Sequence, residues 1–509
     1  MMKDEDLEHL LLSEAKLVVV EAPAGCGKTY QGAKYAGTES ARLGSGRLLI
    51  LTHTHAACSV FSERTKASKN KVEIKTIDSL IVQIAAAYWK ALGIPLDVSA
   101  WAHSTNNGFD ILACKVETLL VKKPMISSAL AARYPVVVCD EHQDASLAQH
   151  RIIVELFKAG VKLRVFGDPM QALYANTKIK LKQSEKNWKE LKSYGIFAEL
   201  EIPHRWRDGN FELGEWVLHA RESLRDIGAI DLSGDLPAGL NVAVVENVSK
   251  APRGYQLDRT QRKKIDRTIR ASNKMLVLAS TNDTVNSLRS AFYRTIVIWE
   301  GHARGELSKL IDALSAPDIN HVGAAEATVS FLGNVCVGFG RSSHGDRFIK
   351  EVREGCSSKA SKKPLHIQNM AKHIFTNPNH IGVSSVLVHL KSLVEARESG
   401  FQDIKIDYLA EYNDAIRLGS YLVASEGLRE ISRIRSFMKP SPPGRCLSTI
   451  HKAKGLECNN AIIMACDGSH FSKSDYAIRK LYVALSRAKN QLTVVLSAKN
   501  PTPLIKYNY

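Results

Sequence analysis

The stretch "VVVEAPAGCGKTYQGA", Val18–Ala33, decides how the rest of the chain is read. Lys16–Glu21 is a nearly continuous apolar run, the pattern of a strand buried on both faces, and "YQGAKYA" begins a helix. Strand, Gly-rich loop, helix is the setting in which backbone N–H groups hold phosphate. Gly25 and Gly27 let the loop Ala24, Gly25, Cys26, Gly27 wrap the phosphate oxygens. Lys28 reaches the β and γ oxygens, and the Thr29 hydroxyl serves a magnesium ion. Ala22 stands where a leading Gly is usual; that position makes a turn without needing positive φ. Alone, the pattern also suits a plain tight turn before a helix, so a second element must decide.

That element is "RYPVVVCDEHQDAS", Arg133–Ser146. Val136–Val138 read as another buried strand, and Asp140 and Glu141 follow at its C-terminal end, where open α/β sheets gather their ligands. Asp140 suits Mg²⁺ and Glu141 suits orienting and deprotonating an attacking water. Together the two elements point to hydrolysis of a nucleoside triphosphate.

The chain has 509 residues, 45% hydrophobic and 24% charged, which implies a globular protein of several domains. No apolar run approaches the ~20 residues of a membrane span, and the acidic N-terminus lacks the order of a signal peptide, so a cytoplasmic location and no membrane partner are expected. The nine cysteines and 17 histidines show no metal-ligand spacing. A formal net charge of +17 implies a polyanionic partner, nucleic acid before others.

Further motifs follow in order. "DEHQD" extends the acidic pair to Gln143 and Asp144, and "VFGDPMQALY" spans Val165–Tyr174. "LILTHTHAA" (Leu49–Ala57) and "TIDSL" (Thr76–Leu80) precede them. "LEIPHRWRD" (Leu200–Asp208), "STIHKAKGLECNNAII" (Ser448–Ile463) and "LYVALSRAK" (Leu481–Lys489) come after. In order and spacing this set resembles superfamily 1 helicases of the UvrD/Rep/PcrA-like group.

The resemblance implies an α/β fold of two RecA-like parallel-sheet motor domains. Residues 1–85 and 130–198 would form the first, and 199–300 with 444–509 the second. A small insertion spans 86–129 and a reduced accessory domain 301–443. The implied cofactors are ATP and Mg²⁺, with Thr29 and Asp140 on the metal. Gln143 would couple the nucleotide to the DNA site and Gln171 would sense the γ-phosphate, while Asp168 supports the acidic motif. Arg205 and Arg487 would reach the γ-phosphate from the second motor domain, and Gly455 and Glu457 would face nucleotide. Thr52, His53, Thr76, Thr449 and His451 would lie on the DNA side.

Four departures modify this picture. Residues 1–27 contain no Gln to read adenine, and His204 replaces a Tyr before Arg205. His53 stands where an aromatic is common, and "ANTKIK" follows "QALY" where Gly-Trp-Arg is usual. Weaker adenine discrimination and a weaker grip on bases are expected, since a stacking platform is worth ~1–3 kcal/mol per base.

Trp89, Trp101 and Tyr88 in the first insertion read as core. Leu257–Lys274 reads as an amphipathic surface helix with Leu257, Ile265 and Ile269 inward. Prolines 440, 442 and 443 mark a stiff exit linker, and "REGCSSKASKKP" (Arg353–Pro364) a polar basic loop.

The leading expectation is a DNA-dependent ATPase translocating 3′ to 5′ on single-stranded or partly duplex DNA. Compact members work alongside nucleases in antiphage systems, the helicase-like subunit of Gabija among them. By that analogy a separate nuclease subunit is the expected protein partner. Two alternatives stay open: a RecD/Pif1-like 5′ to 3′ motor, and an ATP- and DNA-binding switch that gates a partner nuclease.

Overall fold

The computed structural model describes residues 4–68, 70–245, 249–251, 254–256, 259–292, 296–299, 305–437 and 444–508. Leu257 and the three linker prolines lie outside them. The chain divides into two compact units, Met1–Ile296 with Phe437–Tyr509, and Val297–Ser436.

The first unit holds both large sheets. In the first, β1 (Leu17–Glu21), β2 (Leu48–Thr52), β3 (Val72–Thr76), β4 (Val136–Cys139), β5 (Lys162–Gly167) and β6 (Ile196–Glu199) lie in the order β3-β2-β4-β5-β1-β6, all parallel. β1, β2 and β4 are buried at every residue. Continuous apolar runs produce this because helices cover both faces of a parallel sheet. Both functional stretches therefore leave the sheet at its C-terminal edge, the phosphate loop after β1 and the acidic pair after β4.

The second sheet places Arg445–Thr449, Met275–Ala279, Cys458–Cys466, Ala488–Ser497 and Leu240–Val245 side by side and parallel. It joins strands 170 positions apart at Met275 and Arg445 and 252 apart at Leu240 and Leu492, as a domain interrupted by an insertion requires. Two RecA-like sheets are what the motif order implied.

The helices of residues 89–133 do not form a separate body. Leu92, Ile94, Val98, Leu112, Val116 and Leu120 share one apolar core with the first sheet. Trp89 and Trp101 pack against that core, as expected, while Tyr88 is 37% exposed. In the basic helix Arg259–Arg270, Ile265 and Ile269 face inward.

The second unit is largely helical around a core that includes Leu307, Phe348, Ile374, Leu387 and Tyr412. Its basic loop is tethered by Ser358, whose hydroxyl donates to Glu351 while the Gln368 amide donates to Glu351 and to the Ser358 carbonyl.

Candidate nucleotide and nucleic-acid site

The phosphate loop owes its path to its glycines. Gly25 and Gly27 hold φ of 81° and 82°, in the left-handed region that glycine adopts without penalty. A Cβ at Gly25 would lie 2.5 Å from the Trp206 ring, and one at Gly27 would lie 3.1 Å from the His204 ring. His204, Arg205 and Trp206 therefore press directly on the loop. The Arg205 N–H donates to the Gly25 carbonyl at 3.0 Å, and the Ala24 N–H donates to the Tyr482 hydroxyl at 2.8 Å. Cys26 is buried beneath, its thiol pushed up to about 12 by burial and by Asp168, which leaves it unreactive.

Lys28 opens the helix Lys28–Arg42 and pairs with Glu141 at 2.6 Å. Thr29 points its hydroxyl at Asp140 Oδ2, 3.5 Å away. Asp140 is buried, its Oδ1 meets no hydrogen-bond donor, and burial pushes its pKa up to about 7 against the pull of Lys28. A buried carboxylate oxygen without a donor, beside a hydroxyl, fits a hard divalent cation. Among the described residues no cluster of three or more His, Cys, Asp or Glu is arranged to hold a metal, so a cation here would rest on the Asp140 carboxylate, the Thr29 hydroxyl and the phosphates.

Glu141 stands on a left-handed residue, φ 55°. For a side chain that conformation costs about 1–3 kcal/mol and persists where the surroundings over-determine it. Burial alone would raise the Glu141 pKa; Lys28 and Lys454 outweigh it and hold the carboxyl down at about 2. Gln143 donates to Glu141 and accepts from the Asp168 N–H at 3.0 Å. Asp168 in turn takes the Gln171 amide at 2.9 Å and Arg221 at 3.2 Å. Arg221 also pairs with Glu21 and Glu199, so one buried guanidinium fastens the ends of β1, β5 and β6.

The second sheet sends cations across. Lys454 donates to Asp144 and, at 2.7 Å, to the Gln171 carbonyl; Arg479 pairs with Glu185 at 2.6 Å and donates to the Pro169 carbonyl. Lys454 lies inside the quoted segment "HKAKGLE", yet the sequence reading gave it no role. Its partner Asp144 is 310 positions away, so no local pattern could announce the pair.

The arginines divide. Arg205 stands where the chain leaves the first sheet, paired with Glu457 at 2.9 Å and donating to the Ser486 carbonyl at 2.7 Å. Glu457 thus faces Arg205 and Lys489. Arg487 is 1% exposed and donates to the Val483 and Leu456 carbonyls and to the Ser486 hydroxyl. Burial and nearby Arg205 lower its pKa, but a guanidinium keeps its charge. Among the described residues no carboxylate bonds to it. Gly455, φ 81°, forms the turn between Lys454 and Glu457.

The threonines expected on the DNA side are buried. Thr52 donates to the Thr54 carbonyl at 3.0 Å and Thr76 accepts the Ser79 N–H as a helix cap. Thr449 accepts the Lys452 N–H. His53 lies near Lys454 and burial lowers it to about 4, so it is neutral. What faces outward is a group of rings. Tyr174, half exposed, meets the His451 edge at 5.4 Å with the Lys454 ammonium 5.2 Å from its centroid, and His451 Nδ1 lies 3.2 Å from the Tyr476 hydroxyl.

A family model described as UvrD/REP helicase N-terminal domain matches residues 98–184, and one described as UvrD-like helicase C-terminal domain matches residues 445–495. The two matches support a UvrD/Rep-like superfamily 1 helicase. The first match spans the acidic motif and "GDPMQALY"; the second spans Thr449, Lys454, Glu457 and Arg487. UvrD-like domains of this kind indicate an ATP-dependent DNA helicase, and UvrD-like helicases use ATP with a divalent metal. No curated protein matches the chain. No helix among the described residues is long and apolar enough to cross a membrane.

Proposed function

We propose that this protein couples ATP hydrolysis to movement along single-stranded DNA, and that Lys28, Thr29, Asp140 and Glu141 form its hydrolytic centre. The observation that carries this reading is the Lys28–Glu141 pair beside Thr29 and Asp140. A triphosphate on the loop gives Lys28 new anionic partners. Glu141, released from its cation, regains basicity and can take a proton from water. Thr29 and Asp140 would hold the divalent cation, which supplies charge neutralisation on the phosphate oxygens when bound. Ala24, Gly25, Cys26 and Gly27 offer backbone N–H groups to the same oxygens. The cation is Mg²⁺ in this reading, and the base is adenine without strict selection, since residues 1–27 contain no Gln.

Arg205 and Arg487 come to the γ-phosphate only if their present partners are exchanged, so closure of the two sheets is the step that stabilises the transition state. Gln171 follows the same logic, with Asp168 as its resting partner. On the DNA side, Tyr174 and His451 are the contacts of choice, with Thr52, His53, Thr76 and Thr449 shaping the floor behind them. Movement 3′ to 5′, a separate nuclease partner and a role in repair or antiphage defence follow from the family analogy.

The test is ATP hydrolysis with and without single-stranded DNA, with Lys28→Ala as blank. Strong stimulation by DNA that disappears in Lys28→Ala supports the motor. Hydrolysis indifferent to DNA favours a switch that gates a partner.

A further inference from the structure

The left-handed turn under Glu141 is fastened on three sides. Gln143 bonds to Glu141 and to the Asp168 backbone, and Asp144 is held by Lys454. The third tie leads from His142 out of the motif to His150 and Glu190. His142 Nε2 lies 3.0 Å from His150 Nδ1, and His150 Nε2 lies 3.4 Å from Glu190 Oε2. His142 is 4% exposed and His150 1%, while Glu190 reaches solvent and also accepts the Tyr194 hydroxyl at 3.0 Å. His150 lies on the helix Leu147–Lys158, whose start is locked by a Ser146–Gln149 capping box.

The chain of bonds has a direction. The Glu190 carboxylate can only accept, so His150 Nε2 carries its proton and His150 Nδ1 is an acceptor. His142 must then donate from Nε2. The acceptor at His150 thus fixes the tautomer and ring orientation of the residue that follows Glu141. An apolar ring at position 142 would fill the same space without that restraint.

We infer that His150, anchored by Glu190, is a positioning residue for Glu141, fixing His142 and with it the turn that aims the Glu141 carboxylate. This rests on the reading of Glu141 as the group that activates water. A carboxylate displaced by a fraction of an ångström still allows ATP to bind on the loop, but no longer meets the water. The loss falls on kcat and spares KM.

The experiment measures kcat and KM for ATP at saturating single-stranded DNA in the full chain. His150→Ala is expected to lower kcat about 10- to 100-fold, the effect of misplacing a reacting group, with KM nearly unchanged. His150→Asn, whose side-chain oxygen takes the place of Nδ1 and accepts from His142, is expected to restore most of the rate. His142→Phe removes the same bond from the other side while keeping the ring, and is expected to lose kcat as His150→Ala does. It also carries the test if His150→Ala does not fold. Wild-type kcat in either disrupting variant, or His150→Asn as slow as His150→Ala, overturns the inference. Glu141→Gln separates the two layers. If it still hydrolyses ATP, the assignment of Glu141 fails first; if it is inactive while His150→Ala is normal, only the positioning role fails.

Discussion

The proposed nucleotide side and the proposed DNA side of this protein use opposite materials. On the nucleotide side three cations already sit in ion pairs, Lys28 with Glu141, Lys454 with Asp144 and Arg205 with Glu457, while Arg487 bonds to carbonyls and a hydroxyl. On the DNA side the expected hydroxyls are turned inward, and the outward groups are rings, Tyr174 and His451. A site built from matched charges works by exchanging partners, so it is sensitive to any change of one member. A surface built from rings works by additive contact and tolerates single losses. Lys454 stands at the boundary, a member of a charge pair and also the cation beside Tyr174.

Removing Lys454 is therefore the change expected to have the largest effect. Asp144 is 3% exposed on its side chain, and losing one partner of a buried pair costs about 3–5 kcal/mol. Lys454→Met should lower stability by that order in denaturant unfolding and abolish the stimulation of hydrolysis by DNA. Adding Asp144→Asn removes the orphaned charge and should recover much of the stability, yet leave stimulation absent. If the double variant regained stimulation, Lys454 would be structural only, and the two sides would be less connected than their shared lysine implies.

Tyr174 sets the next scale. Tyr174→Ala should weaken single-stranded DNA by about 1–3 kcal/mol, the range of one base stacked on one ring, with DNA-free ATP hydrolysis unchanged. Fluorescence anisotropy on a labelled oligonucleotide reads the first and a phosphate-release assay the second. Tyr174→Phe should bind like wild type, because the ring face and not the hydroxyl makes the contact. A large loss in Tyr174→Phe would move the contact to the hydroxyl and make the DNA side a hydrogen-bonding surface after all.

The same contrast explains what the sequence could disclose. β1 and β4 were legible because burial on both faces demands unbroken apolar runs, and the chemistry at their ends needs fixed residue types at fixed spacing. Lys28, Thr29, Asp140 and Glu141 converge as those runs imply. The partners of Lys454 and Arg205 were not legible, since pairs 310 and 252 positions apart leave no local trace. His150 is silent for another reason: it sits outside every motif, and only the fold reveals that it faces His142. The threonines show the converse case. Thr76 fits a motif position, but Thr76-Ile77-Asp78-Ser79 is equally the opening of a capped helix, and the cap is what the hydroxyl makes.

That cap supplies the smallest effect and the sharpest division between the two sides. Thr76 accepts the Ser79 N–H at 3.1 Å and lies 2.7 Å from the Ser79 hydroxyl, with 5% of its surface exposed. Losing an N-cap side chain costs about 1 kcal/mol. Thr76→Ala should therefore lower unfolding stability by about that amount and leave oligonucleotide affinity where it was. Thr76→Asp offers a stronger capping acceptor at the positive end of the helix and should restore stability. It also tests the DNA side. A carboxylate facing a phosphate would repel the strand, whereas one folded onto the Ser79 N–H and buried there would leave binding intact. Restored stability with unchanged affinity places the hydroxyl in the scaffold. Restored stability with weakened affinity would bring the strand down to the threonines, and the rings would then be a rim and not the floor.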